Sequence, residues 1–202
     1  MKKFYSLAAA ALLLAACQTN GAIEGAQDGD TIELSLPKGR SLEAFNTGVV
    51  KDGKYTIEGT TDTCQMAMLV SAGKPVARLF VEPGKITANI AENEDTRAEG
   101  TPNNDRMNQF DDAVQAVYDE YSELGKKLEA LGEEAEGAAD IRQQMEAVEG
   151  KFDEVIKAAV ADNADRVSGK LMRRADERGK GSTAPPAAVL HKRILLGDAG
   201  IV

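Results

Sequence analysis

The stretch VVKDGKYTI, residues 49–57, decides how the first half of the chain folds. Its Asp52-Gly53 pair tolerates the positive φ angles that a tight type I′ turn requires, so the stretch predicts a β-hairpin. In the arm that follows, Tyr55 and Ile57 alternate with polar residues, which is typical of a half-buried strand.

The same alternation and the same kind of turn recur on both sides of this hairpin. The segment IELSL places Ile32, Leu34 and Leu36 on one face, and the Pro83-Gly84 pair has the chemistry of a type II turn. Further turns are predicted at Asp28-Gly29 and Ala72-Gly73. The predicted strands lie near residues 22–27, 31–36, 41–46, 54–60, 64–70, 76–82 and 85–91. About seven short strands so close together predict an antiparallel β-sandwich or open barrel over residues 22–100.

The pattern changes at Gly100, where helical periodicity replaces alternation. Apolar or aromatic residues recur with spacings of 3 and 4 at Met107, Phe110, Val114, Val117, Tyr121, Leu124, Leu128 and Leu131. A second stripe follows a glycine-flanked loop, at Ile141, Met145, Val148, Phe152, Val155 and Ala159. Thr101 and Pro102 fit a helix start, although the Asn103-Asn104-Asp105 cluster could begin the helix a turn later. The two stripes predict an antiparallel helical hairpin over residues 101–168, so the predicted fold class is α+β.

The two ends of the chain differ from both of these regions. Residues 1–16 combine Lys2 and Lys3, a short apolar run and small residues, which is the layout of a secretory signal peptide. Leu14-Ala15-Ala16-Cys17 resembles the lipobox of bacterial lipoproteins, and this resemblance implies a lipid on Cys17 and a lipidated tether at residues 17–21. The alternative is an ordinary secreted protein with an incidental cysteine. Residues 169–202 are rich in basic residues, Gly and Pro, and are predicted to be a disordered tail.

Charge and residue content limit the chemistry that this chain can perform. Removal of residues 1–16 would take away two lysines and shift the net charge from −9 to −11, which disfavours both nucleic acid and anionic lipid surfaces as partners. Lipidation of Cys17 would leave Cys64 without a partner in the chain, which excludes a disulfide framework and a CxxC redox pair. His191 is the sole histidine and lies in the tail, so neither a catalytic triad nor a zinc site is predicted. We therefore expect no catalytic residues, no cofactor and no metal.

The β-part resembles a known domain in the order VKDGKYTIEG, RLFVEPGKITANI and EGTPNND. It is similar, over about residues 21–110, to the N-terminal domain of unknown function in lipoproteins of Bacteroidetes. That domain usually precedes a thioredoxin-like domain of the thiol-disulfide interchange or peroxiredoxin type. The segment DNADRVSG resembles the connector that leads into the thioredoxin-like domain, but the chain then turns, at about Gly169, into a different composition. It is either a truncated relative or a natural stand-alone member.

Two functions follow from these observations. The first is a lipid-anchored module of the cell envelope with a non-catalytic binding or scaffolding role. Such a module would face the periplasm, with the outer membrane favoured over the inner, and its partners would be the membrane and, through the helical hairpin, another protein or a second copy. The alternative, implied by the resemblance, is the accessory or truncated part of a thiol-disulfide oxidoreductase. Ligand or glycan capture by the β-domain ranks last, because the aromatic residues there are few.

Overall fold

The computed structural model describes residues 15–39, 41–91, 96–132, 134–163, 166–168, 170 and 173. Within them the chain forms eight β-strands followed by two α-helices. The strands are β1 (Ala15–Ala22), β2 (Thr31–Lys38), β3 (Ser41–Val49), β4 (Lys54–Thr61), β5 (Gln65–Ser71), β6 (Lys74–Val81), β7 (Gly84–Ala88) and β8 (Ala98–Glu99). The helices are α1 (Pro102–Leu131) and α2 (Ala138–Asp162).

The strands form two four-stranded sheets, one in the order β4-β1-β7-β8 and the other in the order β3-β2-β5-β6. All neighbours are antiparallel except β1 and β7, which run parallel. One buried cluster contains apolar side chains from both sheets, among them Ile32 and Leu69 from one and Ile57 and Ile86 from the other. The predicted fold class, a sandwich followed by a helical hairpin, is confirmed.

The stretch at residues 49–57 connects the two sheets. The predicted turn is present, because Asp52 and Gly53 both have positive φ angles, of 52° and 69°. The two arms, however, pair with each other at a single bridge, between Lys51 and Lys54. Beyond it Val49 pairs with Thr31 in one sheet and Tyr55 pairs with Gly21 in the other. The interpretation of this stretch as a simple hairpin is therefore wrong. The turn carries the chain from one layer of the sandwich to the other.

The start of the described chain also differs from the sequence prediction. Residues 17–21 were expected to be a tether, yet they lie in β1, which is paired with β4 on one side and with β7 on the other. Of the strand predicted at residues 22–27, Ala22 ends β1 and Ile23 forms an isolated bridge. The strands that pair with β1 are distant in sequence, and their backbone hydrogen bonds make this short polar segment a strand. The residues of the segment alone do not indicate these partners. The two-residue strand β8 was also not predicted.

The helices follow their predicted stripes closely. Along α1, Met107, Phe110, Val114, Val117 and Leu124 are buried, whereas Leu131 at the end is 45% exposed. In α2, Val148, Phe152 and Ile156 are buried in the same cluster, and the predicted Val155 packs against it while partly buried. Phe80 of β6 joins the same cluster. The hairpin therefore packs on the outer face of one sheet at its base, and α1, at about 1.5 Å per residue, extends for about 45 Å.

Two predicted segments lie wholly or largely outside the described residues. They are the signal peptide at residues 1–16, of which 1–14 are not described, and the tail at residues 169–202, of which Lys170 and Arg173 are described. The lone His191 belongs to the second group.

Candidate functional site

A group of polar residues, all buried except the half-buried Asp105, connects the sandwich to the base of the hairpin, and it is called the polar joint here. Its members are Glu82, Asn103, Asn104, Asp105 and Ser168. They come from the β6–β7 connection, the first turn of α1 and the segment after α2.

The first turn of α1 is capped from the sheet. Thr101 stands at the N-cap with an extended backbone, but its side chain makes no capping hydrogen bond. Glu82 takes this role, because its Oε1 accepts from the backbone N–H of Asn103 at 2.7 Å and its Oε2 accepts from the Asn103 side-chain amide at 2.6 Å. A carboxylate at a helix N-terminus also interacts favourably with the helix dipole. The start of α1 is therefore fixed by a residue twenty positions earlier in the chain.

Asn104 binds α1 to β6, the edge strand of the sheet β3-β2-β5-β6. Its Oδ1 accepts from the backbone N–H of Phe80 at 2.8 Å, and its Nδ2 donates to the Phe80 carbonyl at 2.8 Å. Phe80 lies in β6, an outer strand of its sheet, so this amide pairs with the backbone as a neighbouring strand would. Nδ2 also donates to the hydroxyl of Thr101. One asparagine thus satisfies both backbone groups of a buried residue.

Asp105 and Ser168 complete the polar joint. Asp105 Oδ1 accepts from the backbone N–H of Gly100, which has a φ angle of 93°. The backbone N–H and hydroxyl of Ser168 both donate to Asn103 Oδ1, at 3.2 Å and 2.9 Å, and Ser168 is fully buried. The chain therefore returns, after α2, to the base of the hairpin.

Both cysteines lie against Glu82. Cys17 pairs with Gly84 in β7, its side chain is buried among the sandwich core, and its sulfur accepts a hydrogen bond from the Glu82 backbone N–H. Burial raises the pKa of the Cys17 thiol, although that hydrogen bond opposes the shift. Burial, the Glu82 charge and a hydrogen bond to Glu82 raise the pKa of Cys64 to about 12. Both groups are therefore thiols at neutral pH, whereas a nucleophilic cysteine needs its thiolate.

The position of Cys17 bears on its predicted role as the lipid attachment residue. Its side chain is 5% exposed. A core packed at ordinary protein density has no room for acyl chains, so a lipid on this sulfur requires Cys17 to leave the core. Gln18 and Thr19 continue β1 beyond it and keep their partners in β4 and β7.

A small cleft lies beside the polar joint, between β6, the segment leading into β8, and α1. Its volume is about 80 Å³, and Arg78 and Asp111 face each other across it at 3.7 Å. Burial lowers the pKa of Arg78 and the Asp111 carboxylate opposes that shift. A space of this size suits a few water molecules and is far below that of pockets for larger ligands. We regard the cleft as part of the packing between sheet and helix.

The sequence predicted one site residue, Cys17, and the structure places it next to Glu82. The residues that hold the two regions together were not recognised as a site. Asn103, Asn104 and Asp105 were noted as an uncertain helix start, and three consecutive capping residues after a Thr-Pro pair were the available signal. Glu82 and Ser168 carried no such signal, because their partners are distant in sequence.

Among the described residues, no three His, Cys, Asp or Glu side chains are grouped as metal ligands would be. None of the helices in this part of the chain has the length and apolar character needed to cross a membrane.

The geometry defines an α+β protein in which a sandwich presents a helical hairpin through a buried polar joint. Residues 18–107 match the family model described as "Domain of unknown function (DUF4369)". This match covers β2 to β8, most of β1 and the first turn of α1, and it includes every residue of the polar joint except Ser168. Searches of curated proteins and of solved structures found no match.

Proposed function

We propose that the protein is a lipid-anchored module of the cell envelope that holds a helical hairpin for a non-catalytic binding or scaffolding role. The observation that carries the proposal is the position of Cys17 as the third residue of β1, a strand that is paired on both sides. The lipobox-like residues Leu14 to Cys17 thus lead directly into the sandwich. With Cys17 out of the core, an anchor there would hold the domain, which stays paired from Gln18 onward, close to the membrane surface.

The polar joint supports a scaffolding role. Glu82 and Asn104 bind the first turn of α1 to two places on the sandwich, and Ser168 returns the end of the hairpin to the same place. The hairpin is therefore held at its base from both of its ends. A partner that binds the helices, or a second copy of the chain, would be presented at a fixed height and direction from the anchor.

The thiol environment argues against catalysis by the described residues. Cys64 has a pKa of about 12 and lies against a carboxylate, which disfavours the thiolate that disulfide exchange requires. With Cys17 lipidated, no second thiol remains to resolve a mixed disulfide. A binding or structural role is the simpler interpretation.

Lipid attachment is tested by growing the bacterial host with an alkyne analogue of palmitate and measuring label on the purified protein. We expect label on the wild type and on Cys64→Ser, and none on Cys17→Ser. Intact-mass measurement should place the added mass on a chain that begins at Cys17. A wild-type chain without label, released from the membrane fraction by salt washing, contradicts the proposal.

The alternative function, an accessory part of a thiol-disulfide oxidoreductase, is favoured by one observation. The segment that resembles a connector, residues 162–169, includes Ser168, which is buried in the polar joint and donates a hydrogen bond to Asn103. A following domain would then start near Cys64. The test is the DNA downstream of codon 169: a frame encoding a thioredoxin-like CxxC domain in another phase supports the alternative, and an intergenic gap contradicts it.

A further inference from the structure

We propose that a cavity on the outer side of the helical hairpin binds a tryptophan side chain of a partner protein. This inference rests on the proposed binding role of the hairpin, and it deepens that function by naming the place on the hairpin and the chemistry of its occupant. The chain itself contains no tryptophan, so a second copy does not supply the ring. The site is built from residues of α1 and α2 and of the first position after α2.

The cavity lies between the two helices near the base of the hairpin, and its volume is about 220 Å³. Asn104 and Asn108 of α1 donate to backbone carbonyls in β6 and β8, so they face the sandwich. At 3.6 residues per turn, Arg106 and Ala113 lie on the opposite side of this helix, and both line the cavity. The cavity therefore opens away from the sandwich, where a partner can reach it. Its apolar wall is formed by Phe110, Ala113, Val155, Ala158 and Ala159.

The size of the cavity favours one aromatic side chain larger than a benzene ring. An apolar cavity of about 150 Å³ in a protein core binds benzene. The cavity in the hairpin is larger by about half, and the bicyclic indole ring is larger than benzene in about the same proportion. Pockets for whole drug-sized ligands begin at about 300 Å³. A single side chain of a partner therefore matches the space better than a free metabolite does.

One residue of the cavity wall carries a buried acceptor. Asn163 is 5% exposed, and its Nδ2 donates to the carbonyl of Ala159 at 2.8 Å, which fixes the orientation of the amide. Its Oδ1 is buried and has no hydrogen-bond partner in the part of the chain that the structure describes. An unpaired buried acceptor is costly, so a donor supplied by a ligand is favourable there. Tryptophan carries such a donor on its ring, and buried indole N–H groups usually have a partner.

The charges at the cavity favour a neutral aromatic occupant. Arg106 and Asp162 have opposite signs, so the wall has no net charge and favours neither a free anion nor a free cation. Arg106 donates to the amide oxygen of Gln109, another residue of the wall, at 3.2 Å. This bond keeps the guanidinium beside the cavity. A guanidinium is attracted to the negative face of an aromatic ring, and most strongly to that of tryptophan. Charge and hydrogen bonding therefore point to the same side chain.

The test uses the full mature chain, residues 17–202, with Cys17→Ser so that no lipid is attached. The probe is a short glycine-serine peptide with one central tryptophan. Because the chain has no tryptophan, indole fluorescence reports the peptide alone. Its emission should shift to shorter wavelength and saturate as the chain is added. A matched peptide with a methyl group on the indole nitrogen has no N–H to donate to Asn163, and it should bind about tenfold more weakly.

Three variants locate the bound ring. Ala158→Leu fills the cavity from an exposed helix position and should abolish binding of the peptide. Ala161→Leu adds the same atoms at another exposed position of α2, away from the cavity wall, and should bind like the parent chain. Asn163→Leu removes the acceptor, so it should bind the methylated and unmethylated peptides equally. A general loosening of the helices would weaken both peptides and leave their ratio unchanged.

Three results would overturn the proposal: equal binding of the two peptides by the parent chain, equal binding of the peptide by Ala158→Leu and Ala161→Leu, or binding of free indole with exclusion of the peptide. The last result would assign the cavity to a small molecule. Because the chain under test has no lipid, these results are independent of whether Cys17 is labelled. A labelled wild type together with a chain that binds no peptide would refute the tryptophan site and leave the anchor intact.

Discussion

The sandwich and the hairpin are stabilised by different kinds of contact. In the sandwich, β1 lies between β4 and β7, strands that follow it by about forty and about seventy residues, and their side chains share one core. In the hairpin, α1 packs mainly on α2, the next element of the chain, and the core is a stripe of apolar residues at helical spacing. The helices are therefore specified by the spacing of apolar residues along the chain, whereas the sheets depend on pairings between distant segments.

The largest expected effect tests whether the two regions have separate cores. Phe152→Ala removes a fully buried ring from the helical cluster, and such a change costs about 3–5 kcal/mol. Backbone hydrogen exchange should accelerate throughout α1 and α2 and much less in β2 and β5. Leu131→Ala, at a position that is 45% exposed, is the control and should change exchange little. Equal acceleration in both regions would show a single cooperative unit.

The next largest effect is expected from a glycine-to-alanine substitution made once in the sandwich and once in the hairpin. A Cβ on Gly21 in β1 would lie 1.9 Å from the carbonyl oxygen of Ala88, so Gly21→Ala should destabilise the protein by about 3 kcal/mol. A Cβ on Gly125 in α1 meets nothing within 4 Å, so Gly125→Ala should stabilise it by about 0.5–1 kcal/mol. Urea unfolding measures both values. Changes of the same sign in the free energy of unfolding would show that Gly21 and Gly125 are under the same steric constraint.

A smaller effect is expected at the polar joint itself. Asn104→Ala leaves the buried N–H and carbonyl of Phe80 without their partners, at a cost of about 2 kcal/mol. Exchange of the first turn of α1 and of β6 should accelerate, while the distal turns of the hairpin keep their protection. The exposed Gln109→Ala serves as the control on the same helix. If the two variants behave alike, the polar joint does not hold the regions together.

The smallest expected effect is a low reactivity of the Cys64 thiol in the folded protein. In a Cys17→Ser background, the raised pKa of Cys64, about 12 against its usual 9.0, leaves about a thousandfold less thiolate at neutral pH than in the unfolded chain. Iodoacetamide should react slowly with the folded protein and rapidly after guanidinium denaturation. Because the folded pKa is the higher one, the stability contribution of this thiol is complete below pH 9 and is lost as pH rises towards 12. Fast alkylation of the folded protein at pH 7 would contradict the raised pKa of Cys64.

Much of the fold could be predicted from residue patterns alone. The alternation at Tyr55 and Ile57, the turn at Asp52-Gly53 and the stripe from Met107 to Leu124 all correspond to the observed structure. These features depend on interactions over a few residues, and such interactions leave a visible period in the sequence.

The remaining features depend on distant partners. Gln18 and Asn20 lie in β1 but carry no apolar alternation, and their strand is defined by β4 and β7. Glu82 ends a predicted strand, and its role as the cap of α1 becomes visible only with Asn103 beside it. The attachment of a lipid to Cys17 stays a prediction from its sequence context.

The parallel pairing of β1 with β7 has a mechanical consequence. Tension applied at Cys17 acts along the axis of an inner strand whose hydrogen bonds to both neighbours run across that axis. The hydrogen bonds between β1 and its two neighbours would therefore be loaded in shear, and many bonds would share the force. They would not break one after another, as they would if an edge strand were pulled away sideways. A pull on the first residues of β1 is thus resisted by both neighbouring strands at once.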